Sequence, residues 1–353
     1  MEITDIPVEG YERVARCIDE ESGLHALIAV HDTTLGPGLG GMRFWKYDSE
    51  EDALFDVVRL AKGMTRKSAV ADTGLGGGKS VIIGDPETAK SPELFRAMGR
   101  FIHDFGGSYI TAEDMNIAID DLRHVRETTP YVTGLSREEG GSGNPSPYTA
   151  YGCVVGIEAA VNHRHGSPDV AGKRVLIQGV GAVGGEMARL LKERGADVIV
   201  CDIKEDRVRA LCERYGLRSV PEAEHLDEPC DIYAPCARGA GINDETIPRL
   251  TCTIVAGCAN NMLLEPRHGD ELRKRGILYA PDYVVNAAGI INVSVERHEG
   301  GYDEEVAMAK IHTIADNLEE VFQLADERDI GTHTAARLLA ELRIERARQQ
   351  QGG

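Results

Sequence analysis

One stretch near the centre of the chain decides the fold: residues 174–202 read RVLIQGVGAVGGEMARLLKERGADVIVCD. Two short apolar runs, 174–178 and 198–201, flank a glycine-rich turn and an amphipathic segment. This pattern predicts a strand, a helix and a second strand within about 30 residues. A helical connection of this kind joins neighbouring parallel strands, so the sequence predicts a doubly wound parallel sheet.

The glycine-rich turn matches G-x-G-x-x-G, the pattern of Rossmann-type dinucleotide-binding domains. Its glycines permit a tight turn, close backbone approach to a pyrophosphate, and close packing of the helix on the strand. The helix N-terminus supplies donors for the phosphates. We therefore expect the cofactor to contact Gly179, Val180, Gly181, Ala182, Val183 and Gly184. The alternative is that the glycines serve only packing in a sheet that binds no ligand.

Asp202, at the end of the second strand, predicts which dinucleotide binds. Its carboxylate is expected to accept from the ribose hydroxyls and to repel a phosphate there, which favours NAD over NADP. Lys204 and Arg207 lie close enough in sequence to weaken that preference.

Composition and charge exclude several classes of partner. The chain has 353 residues, 42% of them hydrophobic, which is typical of a globular protein with two domains. Its net charge of −19 argues against nucleic acid or an anionic membrane as a partner. No apolar run approaches the roughly 18–20 residues of a membrane span, and no apolar signal region is present, so we expect a cytoplasmic protein.

Neither the cysteines nor the histidines predict a metal site. Eight cysteines are scattered without a C-x-x-C pair, which is typical of reduced thiols. His163 and His165 form the one histidine cluster. Two histidines without a third ligand predict a loop rather than a metal centre.

A second glycine-rich segment, TGLGGGKS at 73–80, is predicted to present Lys79 on a flexible bend. It almost matches the phosphate loop of ATPases, but that pattern needs a glycine where Thr73 stands. An apolar run that predicts a strand follows the lysine, so no helix N-terminus is available for a phosphate. Around it, 24–31 predicts a strand, whereas 52–64 and 91–105 predict helices, so the first part forms an α/β domain of its own.

Seven further motifs occur in order along the chain: DTTLGP at 32–37, GGMR at 40–43, GGGK at 76–79, TAED at 111–114, GNPSP at 143–147, DIYAPCA at 231–237 and PDYVVNA at 281–287. Together they resemble the Glu/Leu/Phe/Val amino acid dehydrogenases, and within that family most of all the leucine dehydrogenase branch. The resemblance covers nearly the whole chain. It implies an N-terminal α/β substrate domain and a Rossmann-type dinucleotide-binding domain, with a cleft between them.

The composition changes abruptly at 136–147, a stretch rich in Gly, Ser and Pro, which predicts a hinge between two domains. Residues 1–141 are expected to form the substrate and oligomerisation domain, with a C-terminal helix at 330–353 packing back on it. Residues 142–329 are expected to form the NAD-binding domain, and 142–147 the hinge. A homo-oligomer, a dimer or larger, is expected as the assembly.

Roles in catalysis are likewise implied by the resemblance. Lys79 would be the proton-transfer lysine, and Asp114 the acid that works with it. Lys67 would hold the substrate carboxylate beside Gly40 and Gly41. A cation next to residues without side chains suits the binding of a carboxylate. The pKa of a lysine is lowered when the lysine lies near another cation and is shielded from water, so such a lysine can act as a base.

The resemblance also assigns the remaining contacts. The side-chain pocket would be aliphatic and would consist of Leu39, Ala112, Ile290 and Val293. Asn261 would face the substrate, whereas the cofactor would be met by Ser146, Thr149, Cys236, Ala237 and Asn260. Taken without the resemblance, the two neighbouring asparagines predict only a turn.

The implied activity is reversible, NAD-dependent oxidative deamination of L-leucine, L-isoleucine or L-valine to the 2-oxo acid and ammonia. An aliphatic pocket would desolvate the carboxylate of glutamate without a partner. Ala112 leaves less room for an aromatic ring than glycine would. A related enzyme for another apolar amino acid, of valine or phenylalanine type, remains an alternative. A dinucleotide sensor without catalysis is disfavoured because Lys67, Lys79 and Asp114 are all present.

Overall fold

The computed structural model describes residues 1–351, and the chain divides into two compact units. The first unit contains Met1–Asn144, Val293–Asp303 and, among the described residues, 340–351. The second contains Pro145–Asn292 and Glu304–Leu339. Two domains of α/β type, as predicted, are confirmed.

Within residues 1–144, the first unit is built on a seven-stranded mixed sheet. Strands β1, β2, β3 and β6 pair antiparallel in that order, whereas β4 and β5 pair in parallel with β6, and β7 pairs in parallel with β4. The strands are β1 Glu2–Asp5, β2 Arg13–Asp19, β3 Leu24–Asp32, β4 Gly38–Leu39, β5 Met42–Trp45, β6 Gly76–Ile83 and β7 Tyr109–Ile110. Three helices of this part are α1 Glu50–Val70, α2 Pro92–Asp104 and α3 Ile119–Arg126.

The two faces of this sheet are covered by different helices. Side chains alternate along β6, so Val81 packs among residues of α1, whereas its neighbour Ile82 packs among residues of α2. Lys79, two positions before Val81, therefore lies on the α1 face. Ser49 and Ser91 cap the N-termini of α1 and α2 by accepting from backbone amides inside each helix.

The second unit is built on a six-stranded, fully parallel sheet in the order β10-β9-β8-β11-β12-β13. Counted from its own first strand, this is the order 3-2-1-4-5-6 of the Rossmann fold, so the predicted fold class is confirmed. The strands are β8 Arg174–Gln178, β9 Asp197–Cys201, β10 Arg218–Ser219, β11 Ile232–Pro235, β12 Ile254–Val255 and β13 Leu278–Tyr279. The helices that follow Asn144 are α4 Ser146–His165, α5 Ala182–Glu193, α6 Glu205–Tyr215, α7 Arg267–Lys274, α8 Asp282–Val285, α9 Ala288–Ser294, α10 Glu304–Arg328 and α11 Thr332–Gln351. The end of α9, from Val293, and the part of α11 from Ala340 belong to the first unit.

Two local predictions are wrong. Lys79 does not stand on a flexible bend, because Gly76–Ile83 forms a strand that pairs with three neighbours. A Cβ at Gly77 would stand 2.1 Å from the amide nitrogen of Thr65, so the glycine row lets α1 approach this strand closely. His163 and His165 lie in the last turn of α4 rather than in a loop, because that helix continues to the glycine that caps it.

The division into units differs from the expected domain boundaries at 141/142 and 329/330. Residues 293–303 belong to the first unit, where Glu296 accepts from the amides of Gly134 and Ser142 at 3.0 and 2.7 Å. The start of α11 belongs to the second unit, where the Thr332 hydroxyl donates to the Tyr279 carbonyl. Of the expected C-terminal helix at 330–353, positions 352 and 353 lie outside the described residues.

Candidate active site

A buried lysine on the central strand of the first unit faces an acidic side chain. Lys79 is paired with Ala29 across β3 and β6, and its side chain is 7% exposed. Its ammonium group donates to Oδ2 of Asp114. Burial lowers the pKa of Lys79, and the charge of Arg43 acts in the same direction, whereas Asp114 raises it. The net direction is downward, which suits a lysine that gives up a proton at moderately alkaline pH.

Glycines bring the acidic side chain to the lysine. A Cβ at Gly41 would stand 2.7 Å from Cβ of Asp114, and one at Gly40 would stand 1.8 Å from the carbonyl oxygen of Gly78. Neither position has room for a side chain. The predicted role of these two glycines beside the substrate therefore coincides with a packing requirement of the sheet.

A buried tyrosine on the opposite face of the sheet holds the segment that contains Gly40 and Gly41. Tyr109 is fully buried, and its hydroxyl lies 2.7 Å from the Gly40 carbonyl and 2.9 Å from Oγ of Ser80. Burial raises the pKa of Tyr109, so the phenol stays protonated and can donate to the carbonyl. Tyr109 thus ties β7 to the segment that precedes β5 and to β6, directly behind Lys79.

Arg43 and Asp56 also belong to this site, and sequence reasoning gave neither a role. Nε of Arg43 lies 3.6 Å from Oδ2 of Asp114, and its Nη1 donates to Oδ2 of Asp56 at 2.7 Å. We call Lys79, Asp114, Arg43 and Asp56 the lysine site. Arg43 was visible as part of the motif at 40–43, but Asp56 lies on α1 in an ordinary amphipathic pattern and carried no signal.

The other predicted substrate residues of the first unit have the following places. Lys67 is half-buried in the last turn of α1. Leu39 is 3% exposed and pairs with Ile110, and the Ala112 carbonyl accepts from the amide of Met42. Sheet pairing therefore brings Leu39 and Ala112 to neighbouring positions of one sheet. Val293 is buried near the end of α9.

The predicted nucleotide turn, Gly179–Gly184, follows β8 and leads into α5 in the second unit. Gly179 has φ +102°, and a Cβ there would stand 2.7 Å from the amide nitrogen of Ala237. A Cβ at Gly184 would stand 2.0 Å from the Gly179 carbonyl and 3.1 Å from Cβ of Cys236. The structure therefore brings Cys236 and Ala237, at the end of β11, against the turn.

Gly181 differs from the other two glycines, because a Cβ there would meet no atom within 4 Å. It is the N-cap of α5, and no side chain caps this helix. The turn thus offers open backbone at a helix N-terminus, as a bound pyrophosphate requires. On this observation the residues fit a dinucleotide.

Asp202 stands beside the nucleotide turn. Its two carboxylate oxygens accept from the amides of Val180 and Lys204 at 2.8 and 2.9 Å. A carboxylate has about four lone-pair positions, so each oxygen can still accept from a ribose hydroxyl. Val183 and Ala182, in the first turn of α5, complete the predicted phosphate contacts.

The remaining predicted residues of the second unit occupy three places. Ser146 begins α4, and the Thr149 hydroxyl, one turn later, lies 3.1 Å from where a Cβ of Gly289 would stand. Ile290 is buried on α9, immediately after that glycine. Asn260 and Asn261 are exposed in a turn, and Asn261 has φ +52°. The turn expected from the residues alone is therefore present.

One more residue of this turn region was missed. The side-chain amide of Asn286 donates to Oδ1 of Asn260 at 2.8 Å and to the Cys258 carbonyl at 3.1 Å. It leaves the amide group of Asn260 as the end that can donate to a ligand. Asn286 lies in the motif at 281–287, but nothing in the sequence indicated its partner.

Two family models match the chain. One is described as the dimerisation domain of the Glu/Leu/Phe/Val dehydrogenases and matches residues 12–131. The other, Glutamate/Leucine/Phenylalanine/Valine dehydrogenase, matches 140–219 and 199–352. This chain belongs to the Glu/Leu/Phe/Val dehydrogenase family. The family predicted from seven short motifs is thus confirmed.

Individual members of the family are similar along almost their whole length. Leucine dehydrogenase of Geobacillus stearothermophilus is 52% identical over 339 residues, 96% of this chain and 92% of that protein. Leucine dehydrogenase of Bacillus subtilis is 50% identical over 339 residues, 96% and 93% respectively. The crystal structure of L-tryptophan dehydrogenase from Nostoc punctiforme superposes with a TM-score of 0.87 at 41% identity, covering 96% of this chain and 97% of that one.

Family membership makes the protein an amino acid dehydrogenase. The family uses a nicotinamide dinucleotide, NAD or NADP. One of its two domains is described as a dimerisation domain, which supports a homo-oligomer. Across residues 1–351, no helix combines the length and apolar character needed to span a membrane.

Proposed function

We propose that this protein catalyses the NAD-dependent oxidative deamination of branched-chain aliphatic L-amino acids, namely leucine, isoleucine and valine. The observation that carries the proposal is the buried ion pair of Lys79 and Asp114 in a chain 52% identical to a leucine dehydrogenase. Burying a lysine ammonium to 7% exposure beside a carboxylate costs desolvation free energy, and titratable groups perturbed in this way cluster at functional sites.

Lys79 is proposed as the group that moves protons. Because burial lowers its pKa, a fraction of the lysine is neutral at alkaline pH and can take a proton from the substrate ammonium group or from the attacking water. Asp114 accepts from the ammonium form of Lys79 and keeps it in place through the cycle. NAD, when bound, would supply the acceptor for the hydride that leaves Cα of the amino acid.

Substrate orientation is assigned to residues around this pair. Lys67, in the last turn of α1, is proposed to hold the substrate carboxylate beside Gly40 and Gly41. Leu39, Ala112, Ile290 and Val293 are proposed to line the side-chain pocket, with Asn261 at the substrate. All four pocket residues are aliphatic, which favours an uncharged, branched side chain.

NAD is proposed as the cofactor in preference to NADP. The nucleotide turn, Ser146, Thr149, Cys236, Ala237 and Asn260 are the proposed contacts. Asp202 beside the turn would repel the additional phosphate of NADP. A homo-oligomer of two or more copies is proposed, because β1 lies at the edge of its sheet with one side open for pairing. A cytoplasmic location stays a prediction.

The function is tested by following reduced nicotinamide formation with NAD and each of six L-amino acids: leucine, isoleucine, valine, phenylalanine, tryptophan and glutamate. Turnover is expected with the three aliphatic substrates and at least tenfold lower kcat/KM with the aromatic two, since pocket differences of this kind are worth about 1–3 kcal/mol. Preference for tryptophan or phenylalanine would move the assignment to another substrate. No turnover with any of them, in a protein that still binds NAD, would contradict it.

A further inference from the structure

The charges around Lys79 continue past Asp114 in a row of alternating sign. Arg43 contacts Asp114 and Asp56, and Arg59 donates from Nη2 to Oδ1 of Asp56 at 3.0 Å. The Tyr47 hydroxyl donates to Oδ2 of Asp56 at 2.7 Å. The row therefore joins β6, the segment after β7, β5 and α1, all within the first unit.

We propose that Arg43 is a positioning residue for the pair of Lys79 and Asp114, and that Asp56 fixes Arg43 in the place where it acts. The proposal rests on the proposed function, in which Lys79 moves the proton. Arg43 acts through Asp114 and through its own charge, and it is not assigned a contact with substrate.

The contacts of Arg43 restrict the position of its guanidinium group. Its side chain is 18% exposed, and that of Asp56 is 16% exposed. One arm of the guanidinium is held by Asp56, so Nε remains directed at Asp114. In the described part of the chain, Nε makes no hydrogen bond, and Oδ2 of Asp114 at 3.6 Å lies just beyond hydrogen-bond distance from it. Catalytic contacts of this length often tighten when substrate binds.

Arg43 is suited to this task because its charge is permanent. A guanidinium keeps its proton throughout the physiological range, so Asp114 is always faced by one cation whatever the state of Lys79. Two cations then share a single carboxylate oxygen, Oδ2 of Asp114. This arrangement makes the loss of the Lys79 proton less costly than it would be in an isolated ion pair.

The groups that face Lys79 act with different signs on its pKa. Burial lowers the pKa most, Asp114 raises it, Arg43 lowers it, and Asp56 raises it. The buried phenol of Tyr109 lies behind it on the other face of the sheet, and burial keeps that phenol neutral. Removal of Arg43 and removal of Asp56 should therefore change the pKa of Lys79 in opposite directions.

The test is the pH dependence of kcat/KM for oxidative deamination of L-leucine by the purified full-length protein. Arg43→Gln is expected to move the rising limb by about one pH unit to higher pH, because Lys79 then holds its proton more tightly. Arg43→Lys restores the charge without the fork of donors, so it should recover at least half of that shift while kcat remains reduced.

Asp56→Asn gives the second, independent measurement. The asparagine oxygen can still accept from Arg43 or Arg59, whereas the negative charge is lost. The rising limb is expected to move to lower pH by a few tenths of a unit. A general loosening of the first unit would not produce shifts of opposite sign in the two variants.

Arg96→Gln is the matched control. Arg96 on α2 makes ion pairs with Glu93 of the same helix and with Glu127 at the end of α3. Helix α2 packs on the face of the sheet opposite to α1. Its pH profile should superimpose on that of the unsubstituted protein.

The outcomes separate the two proposals. If the unsubstituted protein is active and Lys79→Ala is inactive, but Arg43→Gln and Asp56→Asn leave the pH profile unchanged or move it in the same direction, the role of Arg43 is overturned and the proposed function stands. If Lys79→Ala retains full activity, the proposed function of Lys79 fails, and the inference fails with it. Shifts of opposite sign, with partial recovery by Arg43→Lys, support the inference.

Discussion

The nucleotide turn of the second unit is built almost entirely from backbone, whereas the lysine site of the first unit is built from side chains. The turn occupies six consecutive residues, and two of its glycines have no room for a Cβ. The lysine site draws on β5, β6, α1 and the segment after β7, and its chemistry depends on which charges are buried together. Substitutions should therefore act on the turn through sterics and on the lysine site through charge.

The largest expected effect is the loss of Lys79. Lys79→Ala should lower kcat for leucine at least about 10³-fold, because a positioned acid–base group contributes about 10²–10⁴-fold and the substrate also loses a neighbouring cation. Binding of NAD, followed by calorimetry, should change less than about twofold, since every proposed cofactor contact lies in the second unit. A parallel loss of NAD binding would contradict the assignment of substrate chemistry and cofactor binding to separate units.

Steric sensitivity of the turn is tested with two adjacent glycines. Gly184→Ala places a Cβ 2.0 Å from the Gly179 carbonyl oxygen, whereas Gly185→Ala places one 3.6 Å from the Val180 carbonyl oxygen, an ordinary van der Waals contact. Gly184→Ala should raise the Kd for NAD at least about tenfold and destabilise the protein by about 1–3 kcal/mol. Gly185→Ala should bind NAD normally and gain up to about 1 kcal/mol of stability. Equal behaviour of the two variants would contradict the steric account.

A charge effect at the turn should be smaller. Asp202→Ala removes the carboxylate that the ribose hydroxyls are proposed to contact, so the ratio of kcat/KM for NAD to that for NADP should fall about tenfold or more. Asp206→Ala, an exposed acid on α6, removes the same charge nearby and should leave the ratio within about twofold. If the unsubstituted enzyme used NADP at least as efficiently as NAD, the proposed role of Asp202 in cofactor choice would already be contradicted.

The smallest effect concerns the shape of the substrate pocket. Ala112→Gly should raise kcat/KM for phenylalanine relative to leucine by up to about tenfold, because removal of one methyl group makes room for a ring. Ala118→Gly, the same change at the exposed N-cap of α3, is the control, and glycine is tolerated there. An unchanged ratio in both variants would place the pocket elsewhere.

The sequence predicted the second unit far better than the first. Strands β8 and β9 and the turn between them were located almost to the residue, because one contiguous stretch contains the apolar runs, the glycines and Asp202. In the first unit, Lys79 was assigned to a bend, because three consecutive glycines are typical of a loop. Those glycines instead allow β6 to lie close to α1, Tyr109 and β3, and such contacts depend on tertiary packing.

Individual residues show the same limit. The resemblance to a family pointed to Lys79 and Asp114, which the structure brings into contact. Asp56 could not have been found, because its partners Arg43 and Tyr47 come from outside its helix and an acid in an amphipathic helix is ordinary. Asn286 was missed for the same reason, since its partner Asn260 lies in another loop.

The division of the first unit among three parts of the chain has a consequence for biosynthesis. Arg343 of α11 donates to the carbonyls of Ala69 and Val70, and Arg348 pairs with Asp32, so the C-terminal helix joins residues made some 270–320 positions earlier. During synthesis at about 5–20 residues per second, the N-terminal sheet is exposed for more than about ten seconds before that helix is made. The nascent first unit must therefore wait, with those carbonyls unpaired by the helix, until Arg343 and Arg348 have been synthesised.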